Sequence, residues 1–362
     1  MEFYLPTHLY TGDDVLAKHK DVFAIGKSCL IVTGKSSAKL SGALDDVLSI
    51  LKELDVKYEI YDGIRQNPTV TSVLEAGEKA KGKDYVIGVG GGSALDAAKV
   101  VALVAANDIR DEDTLYKKEY PNTMPTILVG TTAGTGSEVT PVSVLTDSRN
   151  RKHSIRDDKV FATYSLGDPK YTYSLNREFT ISTGIDALAH AVESYFSNKA
   201  NDISRSFSIE AIIKLLPPLT KLSKSEDINS DDRKTLYEAS ILAGLAISIT
   251  GTTFAHNCGY YLTEEYHVPH GIASATFLPD LFDYMDMKVK DYSDGFYYRI
   301  YSDKDILKSL VTSLLPDLNI RMDEEEITNL LPRYENNSSI KNTRGNMNKD
   351  IVKVILESKF SN

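Results

Sequence analysis

Four side chains in the second half of the chain have the types that hold a divalent cation. Two lie in the run Asp186-Ala187-Leu188-Ala189-His190. Residues four apart on a helix share a face, so the carboxylate and the imidazole can meet one ion there. Taken alone, the pair also reads as an ordinary helical ion pair. The other two lie in His256-Asn257-Cys258-Gly259-Tyr260 and His267-Val268-Pro269-His270-Gly271. On one straight helix His256 and His270 would stand roughly 21 Å apart, too far to share an ion. Pro269 and the polar Thr263-Glu264-Glu265 stretch predict a break that lets the chain fold back. Three imidazoles and one carboxylate suit Fe(II) or Zn(II) and not Ca(II) or Mg(II). Zinc binds more tightly at equal availability, so the ion found on purification does not identify the native one.

The first half carries a different signal, Gly88-Val89-Gly90-Gly91-Gly92-Ser93-Ala94-Leu95-Asp96, between a β-rich run and a helical pattern. Glycines there permit a tight turn and close approach of a ligand to bare backbone. The helix that follows offers unpaired N–H groups and a positive dipole end, to which a pyrophosphate is the natural guest. Ser93 and Asp96 also have the spacing of a helix cap. Ser93 stands where the dinucleotide fingerprint has its third glycine, and the plain alternative is a tight turn with no ligand. A second turn, Gly130-Thr131-Thr132-Ala133-Gly134-Thr135-Gly136-Ser137-Glu138, again follows a β-rich run and is dense in hydroxyls. Two such turns at successive strand ends favour one shared ligand at a sheet edge. A third strand end reads Thr33-Gly34-Lys35-Ser36-Ser37-Ala38-Lys39, without an acid and with two lysines. That leaves room and charge for a 2′-phosphate, which predicts NADP(H), with NAD(H) as the alternative.

These residues need elements to position them. Leu30–Thr33, Lys57–Tyr61, Tyr85–Val89 and Thr126–Val129 read as strands, with a helical pattern from about Ala38 to Leu54 and another through about Ala106. Alternating strands and helices predict a parallel sheet covered on both faces. After about Pro169 the 3.6-residue period dominates, over Ile181–Phe196, Ser204–Leu216, Arg233–Ile249, Leu307–Leu315 and Lys349–Leu356. Ser223–Asp232 reads as an exposed loop. The expectation is an α/β dinucleotide-binding domain over residues 1–175 and an all-helical metal-binding catalytic domain over 176–362.

Composition narrows the class. The chain has 362 residues, 42% apolar and 25% charged, as in ordinary globular proteins, and enough for two domains. A net charge of −10 without a basic run argues against nucleic acid as a partner. The most apolar stretch, Ala239–Ile249, is too short to span a bilayer, so no membrane partner is expected. Two cysteines make no disulfide framework, and the first residues show no basic or apolar leader, so the expected location is cytoplasmic.

Gly90-Gly91-Gly92-Ser93 with Asp96 and Lys99, then Thr131 to Glu138, then Asp186 with His190, and finally His256 and Pro269-His270-Gly271 resemble the iron-containing (group III) alcohol dehydrogenases. The likeness is nearest to the NADP-linked branch of 1,3-propanediol- and butanol-dehydrogenase-like enzymes, and it runs from about Phe3 to the last helix. It implies the dehydroquinate synthase-like fold of that family, a Rossmann-like N-terminal domain followed by an all-α one. It implies that Asp186, His190, His256 and His270 hold the catalytic metal. It also implies that Gly34, Ser36 and Lys39 lie near the adenosine ribose, Gly91, Gly92, Ser93 and Asp96 at the pyrophosphate, and Thr131, Thr132 and Thr135 nearer the nicotinamide. Lys152 matches a lysine that the family places near the cofactor, and a homodimer is what the family suggests. One departure is Tyr260, where many members carry a further histidine. An unperturbed phenol shuttles protons poorly at neutral pH, which leaves His267 as the alternative relay.

The chemistry expected is hydride transfer between NADP(H) and a small primary alcohol or aldehyde, with Fe(II), or else Zn(II), as Lewis acid. The competing reading is a metal-dependent lyase or cyclase of the dehydroquinate-synthase type on a related fold. Such an enzyme needs basic residues for a phosphorylated, carboxylated substrate, and neither Ile181–Phe196 nor Thr252–Gly271 has one.

Overall fold

The computed structural model describes residues 2–117 and 119–361. They form two compact units. The first comprises Tyr4–Asn176 and Asn229–Gly244. Its strands are β1 (His8–Thr11), β2 (Ser28–Gly34), β3 (Lys57–Ile64), β4 (Tyr85–Gly90), β5 (Thr126–Gly130), β6 (Val142–Thr146), β7 (Lys152–Arg156) and β8 (Tyr164–Gly167). Six of them make a parallel sheet in the order β1-β8-β5-β4-β2-β3, and β6 and β7 form a separate antiparallel ribbon.

The sheet is buried on both faces, as the predicted parallel class requires. Along β2, Leu30 and Val32 enter one apolar cluster while Cys29 and Ile31 enter the other. Along β4, Val86 faces the first cluster and Tyr85, Ile87 and Val89 the second. Successive side chains on a strand point to opposite faces, so both layers of helices find a partner. The first cluster takes its helical share from Val70–Ala80 and Gly92–Ala106, the second mainly from Ala43–Glu53.

Four strands are additional to the four read from sequence, β1 and β8 in the sheet and β6 and β7 in the ribbon. β1 and β8 are only four residues each, too short to show a period. The single helix expected over Ala38–Leu54 is two, Ser37–Leu40 and Ala43–Glu53, separated at Gly42, whose φ of +80° suits glycine.

Asn229–Gly244, the start of the long helix Ser230–Thr250, belongs to the sheet unit. The physical reason is local. The Tyr237 hydroxyl donates to Glu138 Oε1 at 3.1 Å, and Arg233 donates to the carbonyls of Thr172 and Leu175. A Cβ at Gly167 would lie 2.1 Å from the Tyr237 oxygen, so the end of β8 must be bare for the ring to enter. The sequence reading, with one division between 175 and 176, contains no such return of the chain.

The second unit holds Arg177–Ile228 and the chain from Leu245 onward, with Phe3. It is helical. Among the described residues its one β feature is the isolated bridge Ser197↔Thr343. Its first helix, Arg177–Tyr195, is buried continuously from Gly184 to Tyr195, so Asp186 and His190 lie within a buried stretch of helix. Two cysteines, Cys29 on β2 and Cys258 on the helix Phe254–Glu265, are buried free thiols.

Candidate metal centre and cofactor turns

Three helices of the second unit converge on one point. Arg177–Tyr195 supplies Asp186 and His190, one turn apart. Phe254–Glu265 supplies His256 from its first turn. After that helix the chain breaks at His267, whose φ is +56°, and Pro269 precedes the short helix His270–Ala275, which opens on His270. The expected fold-back is therefore present.

Glycine allows the approach. A Cβ on Gly271 would stand 1.9 Å from the Ser182 carbonyl oxygen and 2.9 Å from the Asp186 Cβ. A Cβ on Gly259 would stand 2.8 Å from the backbone of Ala273 and Ser274. The helix bearing His270 thus lies directly on the two that bear the other groups.

The ligand-type atoms of Asp186, His190 and His256 all fall within 4.8 Å of one another. His256 Nε2 is 3.4 Å and His270 Nε2 3.9 Å from Asp186 Oδ1. The His190 and His256 rings stack at 4.4 Å between centroids, and the ring of Tyr260 stacks on His270 at 5.7 Å. Metal bonds of about 2.0–2.2 Å to nitrogen and oxygen fit separations of this size. Two further observations bear on the fit. Asp186 Oδ1 and His256 Nε2 are buried without a hydrogen-bond partner, a costly state unless an ion completes it. The environment also favours positive charge. Burial works against a charged His256 ring, yet Glu193 and Asp186 on its two sides outweigh this and push its pKa up to about 10. Burial likewise works to raise Asp186, but His190, His270 and His256 hold it below the usual carboxylate range. The residues present fit a divalent cation.

Sequence reasoning missed Glu193, which is fully buried and joined to His256 Nδ1. The signal was available, because Glu193 lies seven residues after Asp186 and three after His190, on the same helical face. His267, the alternative proton relay, is exposed at the break between two helices.

In the first unit, the three turns singled out from sequence follow the neighbouring strands β2, β4 and β5, at their carboxyl ends. Parallel sheets bind ligands at that edge. A Cβ on Gly91 would lie 2.9 Å from Thr132 Cγ2, and one on Gly92 would lie 2.8 Å from Thr135 Oγ1. The structure thus brings Gly91, Gly92, Thr132 and Thr135 together, with Ser93 half-buried beside them. Thr131 is buried, and its N–H donates to the Gly90 carbonyl at 2.9 Å. Gly34, at the end of β2, is half-buried, and Ser36 and Lys39 beyond it are exposed, as is Lys35.

Two features of the first turn differ from the cap that the sequence spacing suggests. The helix Gly92–Ala106 is capped by Gly91 and not by Ser93, and it has no side-chain cap. Asp96 turns inward: its carboxylate accepts from the Ser137 hydroxyl at 2.6 Å and the Val144 N–H at 2.9 Å. Beside it Lys99, fully buried, donates to Thr140 O, Thr140 Oγ1 and Val142 O at 2.9–3.2 Å. These two residues clamp the helix behind the first turn to the segment that follows the second. Lys152 Nζ donates to Asn67 Oδ1 at 2.6 Å.

Two family descriptions match the chain, iron-containing alcohol dehydrogenase over residues 6–169 and the C-terminal region of the same family over 180–358. The chain belongs to the iron-containing alcohol dehydrogenase family. This family is one of oxidoreductases that use a metal and a nicotinamide cofactor, in accord with the cation-type cluster. Alcohol dehydrogenase 4 of Schizosaccharomyces pombe is 34% identical over 283 residues, 76% of this chain and 66% of that one. An NADPH-dependent butanol dehydrogenase of Clostridium saccharobutylicum is 30% identical over 288 residues, 77% of this chain and 72% of that one. The crystal structure of an iron-containing alcohol dehydrogenase from Thermotoga maritima superposes with a TM-score of 0.90 at 36% identity, covering 99% of both chains. The family's architecture, a parallel-sheet domain followed by a helical one, is that of this chain.

Proposed function

We propose that this protein is a metal-dependent alcohol dehydrogenase or aldehyde reductase acting on small primary alcohols or aldehydes with NADP(H). The observation that carries the reading is the cluster of Asp186, His190, His256 and His270, in which the buried Asp186 Oδ1 and His256 Nε2 face each other at 3.4 Å without forming a hydrogen bond. These four side chains would hold Fe(II), or Zn(II) where zinc is supplied. When bound, the metal polarises the alcohol or carbonyl oxygen, and the nicotinamide exchanges hydride with the substrate carbon.

The chain's own residues supply the rest. Bare backbone at Gly91 and Gly92 gives the pyrophosphate close access to the helix start at Gly92. Thr132 and Thr135 present hydroxyls from the adjoining turn. Lys35 and Lys39 are exposed beyond β2 and support a 2′-phosphate, as does the butanol-active, NADPH-dependent relative. Tyr260 lies flat against His270 and limits the positions that ring can take. The lyase or cyclase reading is not favoured, because the segments bearing the cluster lack the basic residues a phosphorylated substrate needs.

The deciding experiment is NADPH and NADH oxidation with butyraldehyde, on chelated protein and after anaerobic Fe(II) addition. A rate that appears only with metal and favours NADPH supports the whole reading. A preference for NADH removes the 2′-phosphate assignment, and no rate with either cofactor removes the reductase assignment. A cytoplasmic homodimer is proposed from the two free thiols and the family resemblance, and sedimentation tests the dimer.

A further inference from the structure

One carboxylate does two jobs beside the cluster. Glu193 Oε2 meets the His256 Nδ1 nitrogen, while Glu193 Oε1 accepts the Thr253 N–H at 3.1 Å, the Thr253 hydroxyl at 2.9 Å and the His256 N–H at 3.1 Å. The last three donors surround the start of Phe254–Glu265, whose own cap residue, Thr253, makes no side-chain cap. Helix starts leave N–H groups without intrahelical partners. Here a neighbouring helix supplies the acceptor, aided by the Thr343 hydroxyl, which accepts the Phe254 N–H at 3.1 Å.

We propose that Glu193 is a positioning residue that fixes both the tautomer and the place of His256, so that its Nε2 lone pair is presented for metal binding; this rests on the metal-ligand reading above. An ionised carboxylate only accepts, so Nδ1 must be the donating nitrogen, and the proton that the ring gives up on binding a metal is the one on Nε2. The same carboxylate ties the ring to its own backbone, because the His256 N–H and Nδ1–H end on one group. Such partners of metal-binding histidines set ring orientation and basicity, and their loss costs about 10–100-fold in metal affinity.

Glu193→Gln is the informative variant. Its amide keeps an oxygen for the Thr253 and His256 N–H groups but turns an NH2 toward Nδ1. The ring then accepts at Nδ1 and carries its proton on Nε2, where it blocks ligation. The test measures Co(II) and Zn(II) affinity by chelator competition, the Co(II) visible spectrum, and the thermal midpoint of metal-free protein. Thr253→Val is run alongside, since it removes one donor to Glu193 and leaves the imidazole contact. We expect Glu193→Gln to bind about 10–100-fold more weakly with an altered Co(II) spectrum, and Thr253→Val to keep the spectrum and lose less than tenfold. If Glu193→Gln lowers only the thermal midpoint and keeps affinity and spectrum, Glu193 is a structural cap and the proposal is wrong. Should Glu193→Gln fail to fold, Glu193→Asp, which keeps the charge but draws the carboxylate back from Nδ1, is measured instead: weaker binding with an altered Co(II) spectrum supports the positioning role, and wild-type affinity and spectrum overturn it. Absence of metal binding by the wild-type protein defeats the metal-site reading itself and is thereby distinguishable.

Discussion

Gly271 and Asp186 are in backbone-to-side-chain contact so close that a single methyl group on Gly271 would stand 2.9 Å from the Asp186 Cβ. The same methyl would stand 1.9 Å from the Ser182 carbonyl, which cannot swing aside as a flexible side chain can. Gly271→Ala must therefore lift the His270 helix from the Asp186 helix. Overpacking of this kind costs about 1–3 kcal/mol. The stability loss should accompany a loss of metal affinity, because His270 moves with its helix. Calorimetric titration with Zn(II) checks this, and wild-type affinity in the alanine variant would show that the contact does not set the site.

His256 and His270 should respond differently to removal. His270 has a side chain 27% exposed, so His270→Ala opens the site and should lose metal and activity together with little change in the chelated protein's stability. His256→Ala leaves the fully buried Glu193 carboxylate without its ring partner. Breaking a buried charged pair costs about 3–5 kcal/mol. Urea unfolding in the presence of a chelator should therefore separate the two variants, with His256→Ala clearly the less stable.

Lys99 is a buried ammonium whose donors end on Thr140 and Val142, with Asp96 at 3.5 Å. Lys99→Met retains the length and drops the charge. It leaves two carbonyls and part of the Asp96 charge uncompensated, and about 3–5 kcal/mol is the expected loss. Because this lysine clamps the segments behind both turns, cofactor affinity should fall as well, as read by NADPH fluorescence titration. A stable variant with unchanged affinity would remove the clamp from the account.

Glu138 gives a pH signature. Burial raises its pKa above the ordinary 4.5, against the opposing pull of Tyr237 and Lys99. A carboxyl with a raised native value holds its proton in the folded state after the unfolded chain has lost it. Stability therefore falls as pH rises from about 4.5 toward the native value. Glu138→Gln removes that titration, so its stability relative to wild type should improve steadily over this interval. Paired urea titrations at several pH values test it, and a difference independent of pH would contradict the assignment.

Much of this was legible in the sequence where a local rule was at work. The β-rich runs ending in Gly34, Gly90 and Gly130 are strands because their apolar residues serve two buried faces, and the glycines mark where they stop. The break before His270 was readable from Pro269. Other features depend on partners distant in sequence. β1 gains its place only by pairing with β8, more than 150 residues away. Asp96 has the spacing of a cap residue, yet Ser137 and Val144 claim it. Tyr237 lies in a helical pattern that reads as part of the helical domain, but its hydroxyl is held by Glu138. The spacing of Glu193 from Asp186 and His190 marks it as a neighbour of the cluster, but its contact with His256 spans 63 residues and no local spacing names that partner.

The two thiols carry a practical consequence. Cys29 is pushed up to about 12 by burial, and burial likewise raises Cys258, which lies two residues beyond His256. The thiolate is the form that reacts with alkylating agents, oxidants and soft metals. Neither sulfur is in that form at neutral pH, so iodoacetamide should leave the protein untouched while a chelator disarms it. Any inactivation in air would then not be oxidation of these thiols.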